Sequence, residues 1–281
     1  MKVKKILNNN VIVTLNEQKR EIIVIGKGLA FGLRVGDLID DSRIDKIFSL
    51  NNQSEVSRFQ QLLTQVPEKY VEMTESFIDY AKEQLGKKLS NIIYITLTDH
   101  IYTMVERAKS NAYVKNTMLW DIKRLYRDEF FVAQEIVQKI NQCIGSNYDE
   151  NESASIAMHF VNAQTGLDFL STSNITKVIS EILNVVKYNF RINYDEDSLS
   201  YYRFVVHLRS FAQRIFSNTT YNDDIDIELQ QHIQRKYESA HHCSQLVAKY
   251  IYETYNYTLQ SEESMYLTIH IQKVVKDSQK L

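Results

Sequence analysis

An internal duplication is the feature that most limits how this 281-residue chain can fold. His100 and His207 lie 107 residues apart, and His159 and His270 lie 111 residues apart. A unit of roughly 105 to 111 residues therefore occurs twice, and a repeated unit of this length predicts two similar domains in tandem.

Residues between the histidines keep the same register in both copies. Tyr126 and Tyr237 each stand 33 residues before the second histidine of their copy, and Glu152 and Glu263 each stand seven residues before it. A duplicated unit that keeps two histidines in place suggests that histidine chemistry is used twice. Conserved packing alone would also preserve them.

Both copies have the apolar spacing of helices. Residues at i, i+3, i+4 and i+7 form one apolar face, as in Phe77, Ile78, Ala81 and Leu85 and in Val178, Ile179, Ile182, Leu183 and Val186. Pro67 falls where a first helix could begin. The sequence predicts two all-α bundles over residues 65–170 and 171–281.

The first 55 residues are built differently. Four of the seven glycines lie between Gly26 and Gly36, and the first tyrosine is Tyr70. Short β-branched runs at 11–15 and 22–25, with a later candidate strand at 44–50, predict a small antiparallel sheet. A polar connector at 51–55 follows. We therefore expect a multi-domain fold, with a small all-β N-terminal domain (1–55) before the two helical bundles.

The N-terminal domain is basic and small. Residues 1–36 contain seven Lys or Arg and two Glu, although the whole chain has a net charge of −2. A basic end on an otherwise acidic chain is typical of contact with a polyanion. A domain of about 55 residues buries little apolar area, so we expect it to pair with a second copy.

The turn at residues 25–32 is the candidate ligand surface of this domain. Gly26 and Gly28 would let a backbone approach a ligand closely, Lys27 supplies a phosphate contact, and Phe31 offers a face for an unstacked base. A glycine-rich β-turn with Phe31 as a core residue fits the same spacing equally well.

Other chemistry is not indicated. The sequence has no HExxH motif, the Gly26–Gly28 turn is not a Walker loop, and no catalytic triad is legible, so we expect no metal, no cofactor and no enzyme activity. Cys143 and Cys243 have no CxxC partner and are predicted to be packing residues. Without a long apolar run or a signal peptide, we expect a cytoplasmic protein that does not insert into the membrane.

Several segments resemble one protein family. The residues at 5–11 and 26–31 resemble the co-antiterminator RNA-binding domain of the BglG/SacY/LicT transcriptional antiterminators. Segments in both repeats resemble that family's two phosphotransferase-system (PTS) regulation domains, or PRD domains: Leu85–Leu89, Leu97–Ile101, Lys123–Tyr126 and Tyr266–Ile271. The resemblance extends over essentially the full chain, and the order of its motifs is more specific than any one of them.

The resemblance implies a homodimer whose N-terminal domains bind an RNA hairpin, so that the overlapping terminator of a sugar-utilisation operon does not form. The positions that match the family's RNA contacts are Lys5, Asn8, Asn10, Gly26, Lys27 and Phe31. Compared with an arginine at this position, Lys27 keeps the charge but not the bidentate geometry.

The resemblance also assigns a role to the duplicated histidines. His100, His159, His207 and His270 match the family's phosphorylation sites. In that family, phosphorylation of the first regulatory domain by the sugar-specific PTS permease (enzyme II) inhibits the antiterminator. Phosphorylation of the second domain by the carrier protein HPr activates it. The sequence around His207 differs from that around His100, so matching positions do not ensure equal use.

Two other classes of protein remain open. A histidine phosphate-relay protein would pass its phosphoryl groups to a downstream acceptor. A PTS-controlled DNA-binding regulator would use the same helical modules, but the basic end has no helix-turn-helix pattern, so we expect no DNA binding. The sugar cannot be read from this chain, because the permease is the protein that contacts it.

Overall fold

The computed structural model describes residues 1–48, 53–217 and 227–279. The N-terminal domain contains a four-stranded antiparallel sheet in the order β1-β2-β3-β4. Its strands are β1 (Lys5–Asn8), β2 (Val11–Leu15), β3 (Glu21–Ile25) and β4 (Lys46–Phe48). β-Branched residues fill β2 and β3, which suit a pleated surface, and Ile12 and Val24 are fully buried in the domain core.

The strands agree in part with the sequence prediction. β2 has the predicted bounds, and β3 begins one residue early, at Glu21. β4 is shorter than the predicted strand 44–50, of which residues 49 and 50 lie outside the described residues. β1 is an additional strand that the sequence reading did not contain.

A helix stands where a connector was expected. α1 (Gln53–Gln65) includes residues 53–55 of the predicted connector, while 51 and 52 lie outside the described residues. It packs against β1 and β3, and Phe59 meets Phe48 of β4 edge-to-face at 5.3 Å between ring centroids. The helix that follows Pro67 is therefore the second of the chain.

Among the described residues, five helices form each copy of the repeat. The first copy contains α2 (Glu68–Leu85), α3 (Ile92–Lys109), α4 (Leu119–Leu125), α5 (Arg127–Ile144) and α6 (Glu150–Thr165). The second contains α7 (Phe169–Phe190), α8 (Leu199–Ser217), α9 (Ile227–Lys236), α10 (Glu238–Tyr255) and α11 (Ser261–Ser278). Tyr126 and Tyr237, which share a register in the sequence, share a place in the fold, because each precedes the first residue of α5 or α10.

Four helices of each copy pack in a closed ring. In the first copy α2 packs on α3, α3 on α6, α6 on α5 and α5 on α2; in the second, α7, α8, α11 and α10 repeat the same order. The apolar stripes predicted from the sequence point into these rings, with Ile78 and Ala81 fully buried on α2 and Val178 and Ile182 on α7. The histidines lie on the neighbouring pairs α3/α6 and α8/α11.

The helices of the two copies end differently. α2 and α5 end at Gly86 and Gly145, whose φ angles of 59° and 67° are left-handed. The corresponding ends of α7 and α10 are Arg191 and Asn256, with φ of 53° and 52°. A left-handed residue closes a helix by satisfying its last carbonyl groups, and glycine does so without steric cost.

Contacts divide the chain into two compact units. The first comprises Met1–Leu119 and Tyr126–Leu167, so the sheet domain and most of the first copy belong together. The second comprises Trp120–Leu125 and Asp168–Leu281. Within it, Arg124 of α4 donates a 3.1 Å hydrogen bond to Ser180 of α7. Among the described helices, none is long and apolar enough to cross a membrane.

Candidate RNA-binding turn and histidine pairs

Two turns of the sheet domain are hydrogen-bonded to each other. The backbone N–H of Gly26 donates to the carbonyl of Asn10 at 2.9 Å, and that of Ala30 donates to the carbonyl of Asn9 at 2.9 Å. The side-chain Oδ1 of Asn10 accepts the N–H of Gly28 at 2.6 Å. The turn between β1 and β2 therefore fixes the conformation of the glycine-rich turn after β3.

Gly26 is required by close backbone packing. A Cβ atom at this position would overlap the carbonyl oxygen of Arg43, a backbone atom that cannot turn away. The guanidinium of Arg43 also donates to the carbonyl of Gly28, and Asp45 accepts the N–H of Lys27 at 3.0 Å. Gly26 is itself buried, so its contribution to a ligand surface is the shape of the turn.

The side chains that leave this turn are exposed. Phe31 is 75% exposed, so the reading of Phe31 as a core residue is wrong. Lys27 and Lys5 are exposed as well, while Asn8 is partly buried and its Oδ1 accepts the N–H of Asn10 at 2.9 Å. Four of the six predicted RNA contacts lie on the paired turns, and the other two, Lys5 and Asn8, are the first and last residues of β1.

The first histidine pair lies between α3 and α6. The ring centroids of His100 and His159 are 5.0 Å apart. Nε2 of His100 lies 3.1 Å from Oε2 of Glu152, whose Oε1 is 3.4 Å from the guanidinium of Arg107. Because a carboxylate accepts hydrogen bonds, Nε2 of His100 is the donor in its contact with Glu152.

The second histidine pair lies between α8 and α11 and is stacked. The rings of His207 and His270 are 4.6 Å apart and inclined by 22°, and His270 lies parallel to Phe204 at 6.4 Å. Arg203 and Lys273 are close enough to His270 for their positive charges to lower its pKa, after the larger effect of burial.

Glu263, the counterpart of Glu152, has other partners. Its Oε1 is 2.8 Å from Nε of Arg214, and the hydroxyl of Tyr257 donates to both carboxylate oxygens at 3.1 and 3.0 Å. The same carboxylate accepts the N–H of Gln260 and so completes a capping box at the start of α11. Arg214 stands seven residues after His207, as Arg107 does after His100.

Burial keeps histidine rings of both pairs neutral. It lowers the pKa of His159 to about 3, with a further effect from the charge of His100. It lowers the pKa of His207 to about 4, helped by the charges of His270 and Arg214. A neutral imidazole retains a lone pair, so these rings can act as nucleophiles toward a phosphoryl group at neutral pH.

Sequence reasoning missed the partner of Glu152. The seven-residue spacing within one helix puts Glu152 about 10 Å along the axis from His159, too far for direct contact with that ring. The carboxylate instead contacts His100 on α3. The signal that could have found this contact is the arginine seven residues after each first histidine, which brings a cation to the glutamate in both copies.

The cysteines and possible metal ligands can be assessed for residues 1–48, 53–217 and 227–279. Cys243 is buried, as predicted, and burial raises the pKa of its thiol to about 12. Cys143 is exposed, so the packing role predicted for it is wrong. No group of three or more potential metal ligands is found in these residues.

Family models match both the N-terminal domain and the two helical copies. The family model of the CAT RNA binding domain matches residues 1–57, and that of the PRD domain matches residues 75–163 and 180–274. A small β-sheet RNA-binding domain followed by two helical PRD domains defines an RNA-binding transcription regulator.

The chain also matches individual relatives over nearly their full lengths. The chain is 44% identical over 278 residues to the transcription antiterminator LicT of Bacillus subtilis, covering 99% of this chain and 100% of LicT. It is 39% identical to the beta-glucoside operon antiterminator of Dickeya chrysanthemi, covering 99% and 98%. The chain belongs to the BglG/LicT family of transcription antiterminators.

A solved structure supports the fold. The crystal structure of GlcT CAT-PRDI matches with a TM-score of 0.52 and 35% sequence identity, covering 58% of this chain and 98% of that one. This match extends over a CAT domain joined to a first PRD domain, as in the first compact unit here.

Proposed function

We propose that this antiterminator is sugar-responsive and acts as a cytoplasmic homodimer. The domains formed by residues 1–55 of two copies bind an RNA hairpin in an operon leader and prevent the terminator from forming. Residues 65–170 and 171–281 are the regulatory domains, and they receive phosphoryl groups from PTS proteins. The protein is a regulator that needs no cofactor and releases no product.

The exposed turn carries the RNA-binding part of this proposal. Phe31 offers a bare aromatic face, and exposed Lys27 and Lys5 lie on the same basic domain. Hairpin loops are recognised by stacking of unpaired bases on aromatic rings and by cations at the phosphates. Lys5, Asn8, Asn10, Gly26, Lys27 and Phe31 are the proposed RNA-binding residues.

A binding assay with hairpin RNA tests this surface. Phe31→Ala should cost roughly 1 to 3 kcal/mol of binding free energy if the ring stacks on a base. Affinity should also fall steeply as salt is raised, because lysine–phosphate contacts release counterions. Leu38→Ala is a matched control, since Leu38 is 71% exposed on the same domain but lies outside the paired turns.

Two outcomes would contradict the proposed surface. Unchanged hairpin affinity in both Phe31→Ala and Asn10→Ala would exclude the turn as the contact. Equal competition by duplex DNA would favour a DNA-binding regulator. The proposed hairpin target also predicts a palindromic leader that overlaps a terminator upstream of a permease gene.

The proposed switch depends on the four histidines. His100 and His159 accept phosphoryl groups from the sugar-specific permease (enzyme II), and His207 and His270 accept them from HPr. A phosphoryl group adds roughly −1.5 to −2 in charge. At His100 this charge would meet the carboxylate of Glu152, whereas at His270 it would meet the cations Arg203 and Lys273.

This electrostatic difference supports opposite outcomes. A phosphoryl group in the first domain repels Glu152 and loosens the α3/α6 contact, whereas one in the second domain adds charge-assisted contacts. Moving a two-state dimer from about 1:99 to 99:1 takes roughly 5.5 kcal/mol. A few charge-assisted hydrogen bonds at about 1.5 to 3 kcal/mol each supply this free energy.

Reporter assays test the switch in cells with and without HPr. His100→Ala or His159→Ala should free antitermination from repression in the absence of inducer. His207→Ala or His270→Ala should reduce activation by HPr, and Asp at the same positions should raise activity without HPr. The scheme is wrong if all four alanine variants respond to inducer like the unaltered protein.

The operon class is proposed from a relative. The relatedness to the Dickeya beta-glucoside operon antiterminator makes beta-glucoside utilisation the first operon class to examine.

A phosphate-relay protein is the second candidate function, because the two histidine rings of each pair lie within 5.0 Å of each other. Radiolabel chased from this protein to a downstream acceptor would favour the relay.

A further inference from the structure

Helix α2 carries a row of acidic residues along one face. Glu68, Glu72, Glu75 and Asp79 are spaced by four, three and four residues, which aligns them on one side of a helix. With a rise of 1.5 Å per residue, neighbouring members are about 4.5 to 6 Å apart along the axis. The row presents a line of regularly spaced negative charges.

This acidic row meets the RNA-binding domain within the first compact unit. Oε1 of Glu68 accepts a hydrogen bond from Nδ2 of Asn10. Further along the row, Nζ of Lys46 lies 2.6 Å from Oε1 of Glu75 and 2.7 Å from Oδ2 of Asp79. The contacts therefore attach two parts of the sheet domain, the β1–β2 turn and β4, to the same helix.

The Lys46 contact is electrostatically strong. Partial burial pulls the pKa of Lys46 down, but hydrogen bonds to Asp79 and Glu75 outweigh it and leave the pKa above its ordinary value. Aromatic packing of Phe48 against Tyr94 of α3, with centroids 4.7 Å apart, lies beside this ion pair. These contacts hold α2 beside β4 and bring Glu68 to the turn.

The two ends of the Asn10 amide have separate tasks. Its Oδ1 accepts the N–H of Gly28 and so shapes the glycine-rich turn. Its Nδ2 is the donor end, the end with which an RNA base or phosphate oxygen could bond. Glu68 takes one of the two N–H donors at that end, and its carboxylate is the kind of acceptor that a phosphate oxygen would replace.

We propose that the acidic row of α2 is an intramolecular competitor for the RNA, with Glu68 occupying the donor of Asn10 until the hairpin displaces it. This inference rests on the proposed RNA-binding function. It identifies the first helix of the first regulatory domain as an autoinhibitory element. Any change that moves α2 away from the turn uncovers the RNA surface.

The strength of this competition follows from populations. When only a fraction of molecules has Asn10 uncovered, the apparent affinity for RNA is reduced by that fraction. One net hydrogen bond to a charged group at an exposed site corresponds to about two- to tenfold in this fraction. Repulsion between the acidic row and the RNA phosphates adds to the competition.

Glu68→Ala in the full chain tests the inference, with Glu72→Ala as the matched control. Both substitutions remove one negative charge from the same helix, but Glu72 makes no hydrogen bond or ion pair with the described residues of the sheet domain. Fluorescence anisotropy with a labelled hairpin should give about two- to tenfold tighter binding for Glu68→Ala and a clearly smaller change for Glu72→Ala.

A second measurement separates failure of the inference from failure of the proposed function. In the RNA-free protein, the side-chain NH₂ resonance of Asn10 should shift in Glu68→Ala and stay unchanged in Glu72→Ala. Equal tightening by both variants, or no tightening by Glu68→Ala, would overturn the competition while leaving RNA binding in place. Absence of hairpin binding by the unaltered protein, with the NMR shift present, would overturn the proposed function and the competition that rests on it.

Discussion

The two helical copies share a ring of four helices, two histidines and a buried glutamate, yet their glutamates bind different groups. In the first copy Glu152 contacts His100 and, at longer range, Arg107. In the second copy Glu263 is held by Arg214, Tyr257 and the backbone of Gln260. One register position thus contacts a histidine ring in one domain and holds an arginine, a tyrosine and a helix N-terminus in the other.

The difference teaches that matched positions in a duplication do not define matched roles. In the first copy the carboxylate is directed at a histidine, so a charge placed on that ring affects the helix contact directly. In the second copy the carboxylate is already neutralised, and the histidines stack on each other beside Arg203 and Lys273. The local electrostatics, more than the shared fold, separates the two domains.

Truncating the two glutamates tests this comparison with the largest expected effect. Glu263→Ala should lower the free energy of unfolding of the second copy by about 3 to 5 kcal/mol, because it removes a buried carboxylate that accepts from Arg214, Tyr257 and the backbone of Gln260. Glu152→Ala should cost about 1 to 3 kcal/mol, since Arg107 is 35% exposed and can turn toward water.

Urea denaturation combined with hydrogen exchange in α6 and α11 measures the two losses separately. Arg107→Ala and Arg214→Ala are the reciprocal controls, and Arg214→Ala should again be the more damaging. Equal losses for the two glutamate variants would show that Glu152 is as structural as Glu263, and the contrast between the copies would not hold.

Acid should destabilise the second copy more steeply than the first. Burial, aided by the charges of His270 and Arg214, lowers the pKa of His207 to about 4; burial also lowers the pKa of His270. Between pH 6.5 and about 4 the unfolded chain binds protons that the folded chain refuses, so the free energy of unfolding falls as pH falls. The slope is on the order of 1.4 kcal/mol per pH unit for each such histidine.

The first copy contributes the same effect through His159, whose pKa burial lowers to about 3. Unfolding followed from pH 7 to pH 4 should therefore show full stability from these groups above pH 6.5 and a progressive loss below it. His207→Asn should weaken the pH dependence of the free energy of unfolding of the second copy, and His159→Asn should weaken that of the first. A pH-independent stability in this window would contradict the neutral, buried state of the rings.

The helix ends give the smallest predicted difference. Arg191→Gly should stabilise the second copy by about 0.5 to 1 kcal/mol, because glycine adopts the left-handed conformation at the end of α7 without strain. This value is the net effect, since the greater entropy of glycine in the unfolded chain offsets part of the gain. Gly86→Arg, the reverse change at the end of α2, should cost a similar amount. Thermal unfolding of the two variants checks the sign, and destabilisation by Arg191→Gly would refute the strain.

The sequence predicted elements where a strong local pattern exists. The β-branched runs located β2 and β3, and the i, i+3, i+4 stripes located the inner faces of α2 and α7. Helix α1 was missed because its first residues are polar and read as a connector. Its apolar residues Phe59 and Leu63 are buried in the packed protein, so tertiary contacts complete the helix.

The candidate sites were predictable as lists of residues, though their partners were not. The duplication register paired His100 with His159 and His207 with His270 by position, but a ring separation of 5.0 or 4.6 Å depends on how two helices pack. The partner of Glu152 lies 52 residues away along the chain. Apolar periodicity shows which face of a helix is buried and does not show which helix packs on it, so it does not predict such contacts.

The close backbone approach at Gly26 limits which mutations of its codon can be tolerated. Every base change at the first two positions of a glycine codon replaces the residue, and every replacement brings at least a Cβ atom into the carbonyl of Arg43. At Gly32 and Gly36 a side chain would meet open space, so only the left-handed backbone resists change there. Selection should therefore remove substitutions at codon 26 far more strictly than those at codons 32 and 36, and deep mutational scanning of the gene should show position 26 as the least tolerant of these three glycines.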